Sequence, residues 1–403
     1  MHSDRLYELG FWFRSEKPWT ILDETDIFAL KLSNGKTAYC LVMGGCSGSH
    51  LALAVYVGSK AFQSYYRVVN NPMQGDDIYQ LLSQDCLQCS VEPDPEQIHR
   101  DEMRLLKAYA KEHGLKFSKK ANPYVNFESF KPEFVPWIIN EKEESVLVEA
   151  LEALQDVMSR LQNHALQDLG FSYDAKMNRE CPLLEKTDAG YVWSMTKLPK
   201  ETPMRYPQPK ELDQFTATDI RKKRKSGTIM ARVFFLSQPV PIKVGQAPRL
   251  PSGLLVADNQ TGNAYPLMPE ESYTDKPDVY LREFVAWMNE NRRYPKTVYV
   301  DDDRTETFFR QICQDCSMEL VREDRMEEMD ELFEDLLMDI ERQTGYPSGS
   351  GSPATDIISF INSMSDEDIF LLPADIKGMI LFMMDNGMLP PSVSGRLRTL
   401  LKK

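Results

Sequence analysis

Residues 228 to 343 constrain the fold more than any other part of the chain. Three runs of strand character come first: "GTIMARVFFLSQPV", then the two arms of "SGLLVADNQTGNAYPLMP", with Gly262 in the turn between them. Here β-branched and aromatic residues cluster between turn formers, as strands require. The period then changes. "DVYLREFVAWMNENRR" repeats its apolar residues at helical spacing, "KTVYVDD" is a short strand, "TETFFRQICQDC" a helix, "MELVRE" a strand and "RMEEMDELFEDLLMDIERQ" an acidic amphipathic helix. Three strands followed by helix, strand, helix, strand, helix predict an α/β layer with a central sheet.

The first half reads differently. Residues 3–16 carry Leu6, Leu9, Trp12 and Phe13 at helical spacing. Asn34-Gly35 lies between two apolar runs, a hairpin signal because both residue types tolerate positive φ. "LALAVYVG" is a third strand, and "SKAFQSYYRVV" a helix with Ser59 as its cap. Residues 93–115 form a helix stopped by Gly114, and "ANPYVNFESFKPEFVPW" is expected to wrap the surface. Residues 141–166 make a long helix with Glu early, Arg and His late, and an apolar stripe from Val146 to Met158. An α+β domain with a mostly antiparallel sheet is expected over 1–168, and an irregular proline-rich connector over 169–227. The α/β domain spans 228–343, a flexible Gly/Ser linker 344–353, and a small all-helical module 354–403.

Composition narrows the function classes. A chain of 403 residues exceeds one ordinary core. A net charge of -14 argues against a general nucleic-acid binder, because phosphate repels an acidic surface. Seven cysteines, an odd number, do not suggest a secreted disulfide framework. No basic region followed by a long apolar stretch opens the chain, and no apolar run approaches a bilayer crossing, so a cytoplasmic location and no membrane partner are expected.

Several phrases carry a resemblance. "LYELGFWFRSEKPW", "HLALAVYVG", "LLSQDCLQC" and "FKPEFVPW" resemble the first half of a family of uncharacterised bacterial proteins built from two domains of unknown function. "PRLPSGLLVADNQTGNAYPLMP" through "VYVDD" is similar to that family's second half. The resemblance implies a bacterial cytosolic origin and no particular activity. The second half also resembles, in element order, the ribonuclease H-like fold and its integrase cores. That likeness implies one acidic residue within the first strand, one ending the fourth strand, and one or more on the last helix, converging on two divalent ions.

"VYVDDDRTETFF" tests this implication. Asp301 or Asp302 suits the end of the fourth strand, and Glu327, Glu328, Glu331 or Glu334 the last helix. The first strand, "ARVFFLSQPV", holds no acid. Asp258 is the nearest substitute, at a hairpin turn where Asp commonly bonds its own backbone. The competing reading makes the aspartates a helix cap, with Asp303 best placed for it.

Other candidates have structural alternatives beside them. Cys86 and Cys89 form a CxxC pair, as do Cys313 and Cys316; zinc or redox roles compete with burial as small hydrophobes. In "GGCSGSH", Gly44, Gly45, Ser47 and His50 make the best ligand-contact loop of the first domain, since glycines let a partner approach the backbone. Arg221, Lys222, Lys223, Arg224 and Lys225 form a basic run where nucleic acid could bind locally; the alternative is a solvated loop. "IKGMILFMMDNGM" near the C-terminus is too apolar to be solvated, so it is expected to pack within its own module or on a protein partner. A non-catalytic binding or scaffold protein without cofactor is expected. The alternative is a Mg- or Mn-dependent nuclease or phosphoryl-transfer enzyme using Asp258, Asp301 or Asp302, and Glu327 or Glu331.

Overall fold

A computed structural model describes residues 2–344 apart from 46–49, 71–76, 93–97, 116, 118–123, 172–178, 211, 238 and 240–245. The linker 344–353 (beyond its first residue), the helical module 354–403 and Ser47 therefore lie outside the described residues. The chain divides into two compact units, Met1–Arg205 with Pro239–Leu250, and Tyr206–Gln238 with Pro251–Lys403.

The first unit is built on an eight-stranded sheet. Its strands are β1 (Phe28–Lys31), β2 (Thr37–Met43), β3 (Leu51–Val57), β4 (Cys86–Glu92), β5 (Tyr124–Phe130), β6 (Trp137–Ile138), β7 (Glu180–Thr187) and β8 (Gly190–Lys197). They lie in the order β6-β5-β4-β3-β2-β1-β7-β8, antiparallel throughout except for the parallel pair β1/β7. Gly35 takes φ 81 in the β1–β2 turn, as the Asn-Gly pair predicts. The helices are α1 (Asp4–Glu16), α2 (Gly58–Val69), α3 (Asp77–Ser83), α4 (Arg100–Glu112) and α5 (Glu141–Leu161). α1, α4 and α5 cover one face through Leu6, Leu9, Phe13, Leu106, Leu147, Leu151 and Leu154; α2 covers the other through Ala61, Phe62 and Tyr65. A capping box starts α5: the Asn140 side chain accepts from the Glu143 amide, and the Glu143 carboxylate accepts from the Asn140 amide.

Three sequence expectations change here. "YVNFESF" is no surface wrap but β5, whose Val125 and Phe127 are fully buried. Ser59 is not the cap of α2; that position falls on Val57, without a side-chain bond. Residues 180–197, placed in the connector with a strand expected from Tyr191, form the β7–β8 hairpin at the sheet edge. Pro182 within β7 and the prolines from Pro199 onward resemble linker composition, while the pairing that makes β7 a sheet strand lies with distant β1.

His2 ties α1 to its neighbours. Its Nε2 lies 2.7 Å from Glu102 and its Nδ1 3.0 Å from Glu144, and the Tyr7 hydroxyl donates to Glu102. Burial alone would lower the imidazole's pKa; bonds and charges from the two glutamates outweigh it and raise the value. Burial pushes Glu144 upward, but bonds from Ser3 and His2 bring it below its ordinary value. A raised histidine stabilises fully below its unfolded pKa and loses this as pH rises through the folded value; a depressed glutamate loses its share on acidification. His2→Gln should therefore cost about 1–3 kcal/mol near pH 6, and less near pH 9. Paired urea melts at the two pH values check this, and an equal deficit at both would contradict it.

The second unit opens with α6 (Gln214–Lys222) and the short β9 (Arg224–Lys225). Then come β10 (Thr228–Phe235), β11 (Ser252–Asp258), β12 (Asn263–Leu267), α7 (Pro277–Glu290), β13 (Arg293–Tyr294), β14 (Thr297–Val300), α8 (Asp303–Cys316), β15 (Glu319–Arg322) and α9 (Glu327–Thr344). Its five-stranded sheet runs β12-β11-β10-β14-β15, and only β11 is reversed. Counted within the sheet this is 3-2-1-4-5, the ribonuclease H-like order and directions. α9, with Met326 just before it, packs on the face carrying Met230, Phe234, Leu255, Ala257 and Tyr299, through Met329, Phe333 and Leu337. Strand alternation puts Ile229, Ala231, Val233, Val298 and Val300 on the opposite face. Beside them Phe308 and Phe309 of α8 and Phe284 of α7 are fully buried, and Phe284 meets Phe309 edge-on at 5.0 Å. Among the described residues, no helix is long and apolar enough to cross a membrane.

Candidate functional site

The C-terminal end of β14 is where the element order directs attention. β10 and β14 run parallel with Thr228 opposite Thr297 and Met230 opposite Tyr299. Continuing this register sets Arg232 beside Asp301. Arg232 shares a face with Met230 and Phe234, the face covered by α9. Its guanidinium binds Asp301 in two-pronged fashion, with Nε 3.2 Å from Oδ1 and Nη2 on Oδ2. The same Nη2 lies 2.8 Å from Asp330 of α9, whose other oxygen accepts from Arg325 at 3.0 Å. The Asp301 side chain is 8% exposed and that of Arg232 18%. Burial by itself would lower the Arg232 pKa; its bonds to Asp301 and Asp330 prevail and raise it. Burial raises Asp330, and the two arginines overcome that and hold it below the ordinary carboxylate value.

The three consecutive aspartates do three different things. Asp301 is the ion-pair member. Asp302 is the N-cap of α8, accepting from the Thr305 amide at 2.9 Å and from its hydroxyl. That hydroxyl in turn accepts from the Val233 amide at 2.8 Å, which locks the helix start to β10. The cap thus falls on Asp302 rather than on Asp303, which stands exposed in the first turn, 3.5 Å from Arg322.

The other acidic candidates do not join Asp301. Asp258 ends β11 opposite Ile229, on the face away from α9. Its buried carboxylate accepts from the Gln260 amide at 3.1 Å and the Thr261 hydroxyl at 2.9 Å, and pairs with Arg293. Glu327 and Glu331 are exposed on α9. Glu331, with Glu328, Met230 and Asn259, lines an open cleft of about 530 Å³; Asp258 borders it too, its carboxylate held by Arg293. Among the described residues, no three His, Cys, Asp or Glu side chains come together as a metal site. The donor chemistry does not fit a divalent ion either: the two carboxylates that converge, Asp301 and Asp330, converge on a guanidinium.

The thiols are packing groups. Cys86 and Cys89 lie three apart on β4, so they point to opposite faces, Cys86 toward the α2 side and Cys89 into the larger core. One metal ion or one disulfide cannot join them. Burial pushes Cys86 up to about 12 and raises Cys89 as well. Cys313 and Cys316 share one buried helix face and are pushed up to about 12 and about 11. All six described cysteines are free and buried. Ellman's reagent at pH 8 is expected to leave these six unmodified until denaturant is added; rapid native labelling of Cys86 would revive a redox role.

In the glycine-rich turn, Gly44 has φ 102 and donates its amide to Glu24 at 2.8 Å, while Gly45 packs against the Trp19 and Leu22 carbonyls. His50 is exposed at the start of β3, its Nε2 2.9 Å from the Gln88 side-chain oxygen. The basic run is not a loop. Arg221 and Lys222 end α6, Lys223 pairs with Asp219 at 2.6 Å, and Arg224-Lys225 is β9, parallel to Arg293-Tyr294 of β13.

Sequence reasoning missed Arg232 and Asp330. The available signal was the lone arginine in the apolar run "TIMARVFF", at the strand where an acid was being sought.

Residues 4–179 match the family model of a domain of unknown function (DUF7309), and residues 216–337 that of another domain of unknown function (DUF6930). No curated protein matches. Among solved structures, the chain is similar to the HTLV-2 integrase catalytic core domain in complex with magnesium, at 9% identity and TM-score 0.23, over 30% of this chain and 76% of that one. It is also similar to a simian T-cell lymphotropic virus intasome in complex with PP2A regulatory subunit B56 gamma, at 9% identity and TM-score 0.22. That match covers 34% of this chain and spans about half, 48%, of the other. The fold reading rests on strand order and direction.

Proposed function

For a chain that joins a DUF7309 domain to a DUF6930 domain, we propose a non-catalytic binding or scaffold role, with a ribonuclease H-like module in which an internal arginine stands where a metal-dependent relative would gather cations. One observation carries this reading: Arg232, on the first strand of the sheet, neutralises Asp301 at the end of the fourth strand and Asp330 on the last helix. A divalent ion needs carboxylate oxygens free to coordinate it. Here a tethered cation already engages them, and Asp258 faces away. The apolar sequence 376–388 is the stretch we assign to a protein partner. The free thiols suit a reducing cytoplasmic setting.

Calorimetric titration of magnesium and manganese into the full chain tests the reading, with Asp301→Asn as control. No saturable binding is expected in either protein. Saturable binding that disappears in Asp301→Asn, together with metal-dependent cleavage of a nucleic-acid substrate, would overturn it in favour of a nuclease or phosphoryl-transfer enzyme.

A further inference from the structure

The first sheet carries a second, unrelated arrangement. On β4 and β5 one face is apolar: Leu87, Cys89, Val91, Val125 and Phe127 all enter the main core. The other face should repeat this near Cys86 and Phe130, where α2 covers it. Beyond that cover it turns polar. Gln88 stands opposite Glu128 and Ser90 opposite Asn126, four side chains on two adjacent strands. Residues paired in this way place their Cβ atoms about 5 Å apart. Ala52 and Ala54 of β3, opposite Ser90 and Gln88, add two small, fully buried side chains to the same face. His50 extends the set at its exposed rim through its bond to Gln88.

Two atoms of this group lack partners where burial makes that costly. Ser90 is 1% exposed and Asn126 2%, yet among the described residues Ser90 Oγ and Asn126 Oδ1 have no hydrogen-bond partner. An unsatisfied buried polar atom is costly, so such atoms in a native fold call for an explanation. The partly exposed Glu128 makes a side-chain bond with Asn126 and, among the described residues, no ion pair with Lys or Arg is found for it. Burial pushes its carboxyl up to about 7 against the lowering bond from Asn126, and the charges of Glu92 and Glu102 add to the rise. What the set lacks is a positively charged N–H donor.

We propose that His50, Gln88, Ser90, Asn126 and Glu128 form a binding site for a protonated amine or guanidinium group, with Glu128 as counter-ion and Asn126 Oδ1 and Ser90 Oγ as acceptors. The group belongs either to a small molecule or to a Lys or Arg side chain of a peptide. Calorimetry on the full chain at pH 8 separates these sources, using agmatine, putrescine and the blocked peptide Gly-Gly-Arg-Gly-Gly. The same peptide with citrulline for arginine is the neutral control. At least one cationic probe should bind saturably and the citrulline peptide should not. Glu128→Gln should weaken that binding about tenfold or more, as loss of a charged hydrogen bond does. Unliganded Glu128→Gln should be no less stable than the parent at pH 8, because a carboxyl with a raised folded pKa opposes folding when ionised. Failure of every cationic probe, equal binding of the citrulline peptide, or unchanged affinity in Glu128→Gln would each overturn the proposal. So would a destabilised Glu128→Gln, which would make the carboxyl part of the framework and leave water as the occupant.

Discussion

Arg232→Met will destabilise the second unit by about 3–5 kcal/mol near neutral pH, as removing one partner of a buried charge pair does. Methionine matches the stem but not the charge. Asp301, whose side chain is 8% exposed, would then face Asp330 without compensation. Asp330 is held below its ordinary value by bonds that outweigh its burial, so in the parent its contribution is present above its unfolded pKa and fades as pH falls through the folded one. In the variant the two carboxylates repel, and acidification relieves them. The deficit should therefore shrink between pH 7 and pH 4. Urea denaturation at both values reads it out, and adding Asp301→Asn to Arg232→Met should recover most of the loss. If Arg232→Met is as stable as the parent, the triad is a surface ornament and the proposed function loses its support. Arg232→Asp extends the test. It replaces the tethered cation with a third carboxylate, so magnesium or manganese should raise the melting temperature of this variant and leave the parent unchanged.

Asp258→Ala should also cost about 3–5 kcal/mol, for a related reason. Its buried carboxylate serves Arg293, the Gln260 amide and the Thr261 hydroxyl together. Alanine would leave Arg293, 14% exposed, without its counter-charge and undo the turn between β11 and β12. Asp258→Asn should cost less, because an amide oxygen can still accept from the turn. A denaturation series over the two variants decides the matter. Equal losses would mean that the charge, not the turn bonds, carries the effect, and a negligible loss in both would show the pair to be unimportant. Either measurement leaves the amine site of the first unit untouched, since none of its residues belongs to this unit.

How much of this was legible beforehand depends on the range of each interaction. Local features were. The Asn34-Gly35 turn, the helix near residues 3–16, the long helix after Asn140 and the alternation of strands and helices from 228 onward all follow from residues within a few positions of one another. Even the aspartate run was half legible: a cap was expected, and it came on Asp302 instead of Asp303, because the Thr305 amide and hydroxyl both reach back three residues.

The composition of the site was not legible. Arg232 and Asp301 are 69 positions apart, and only the parallel register of β10 and β14 sets them side by side. Alternation along β11 turned Asp258 away, and alternation along β4 parted Cys86 from Cys89. The β7–β8 hairpin hid inside a proline-rich stretch because its parallel partner, β1, is some 150 residues earlier. Sequence by itself determined the fold class and, in the second unit, the order of the main elements, since periodicity and capping are written in neighbouring residues. Only the tertiary structure decided which charges meet, because a strand's side chains change face at every residue and their partners come from distant strands.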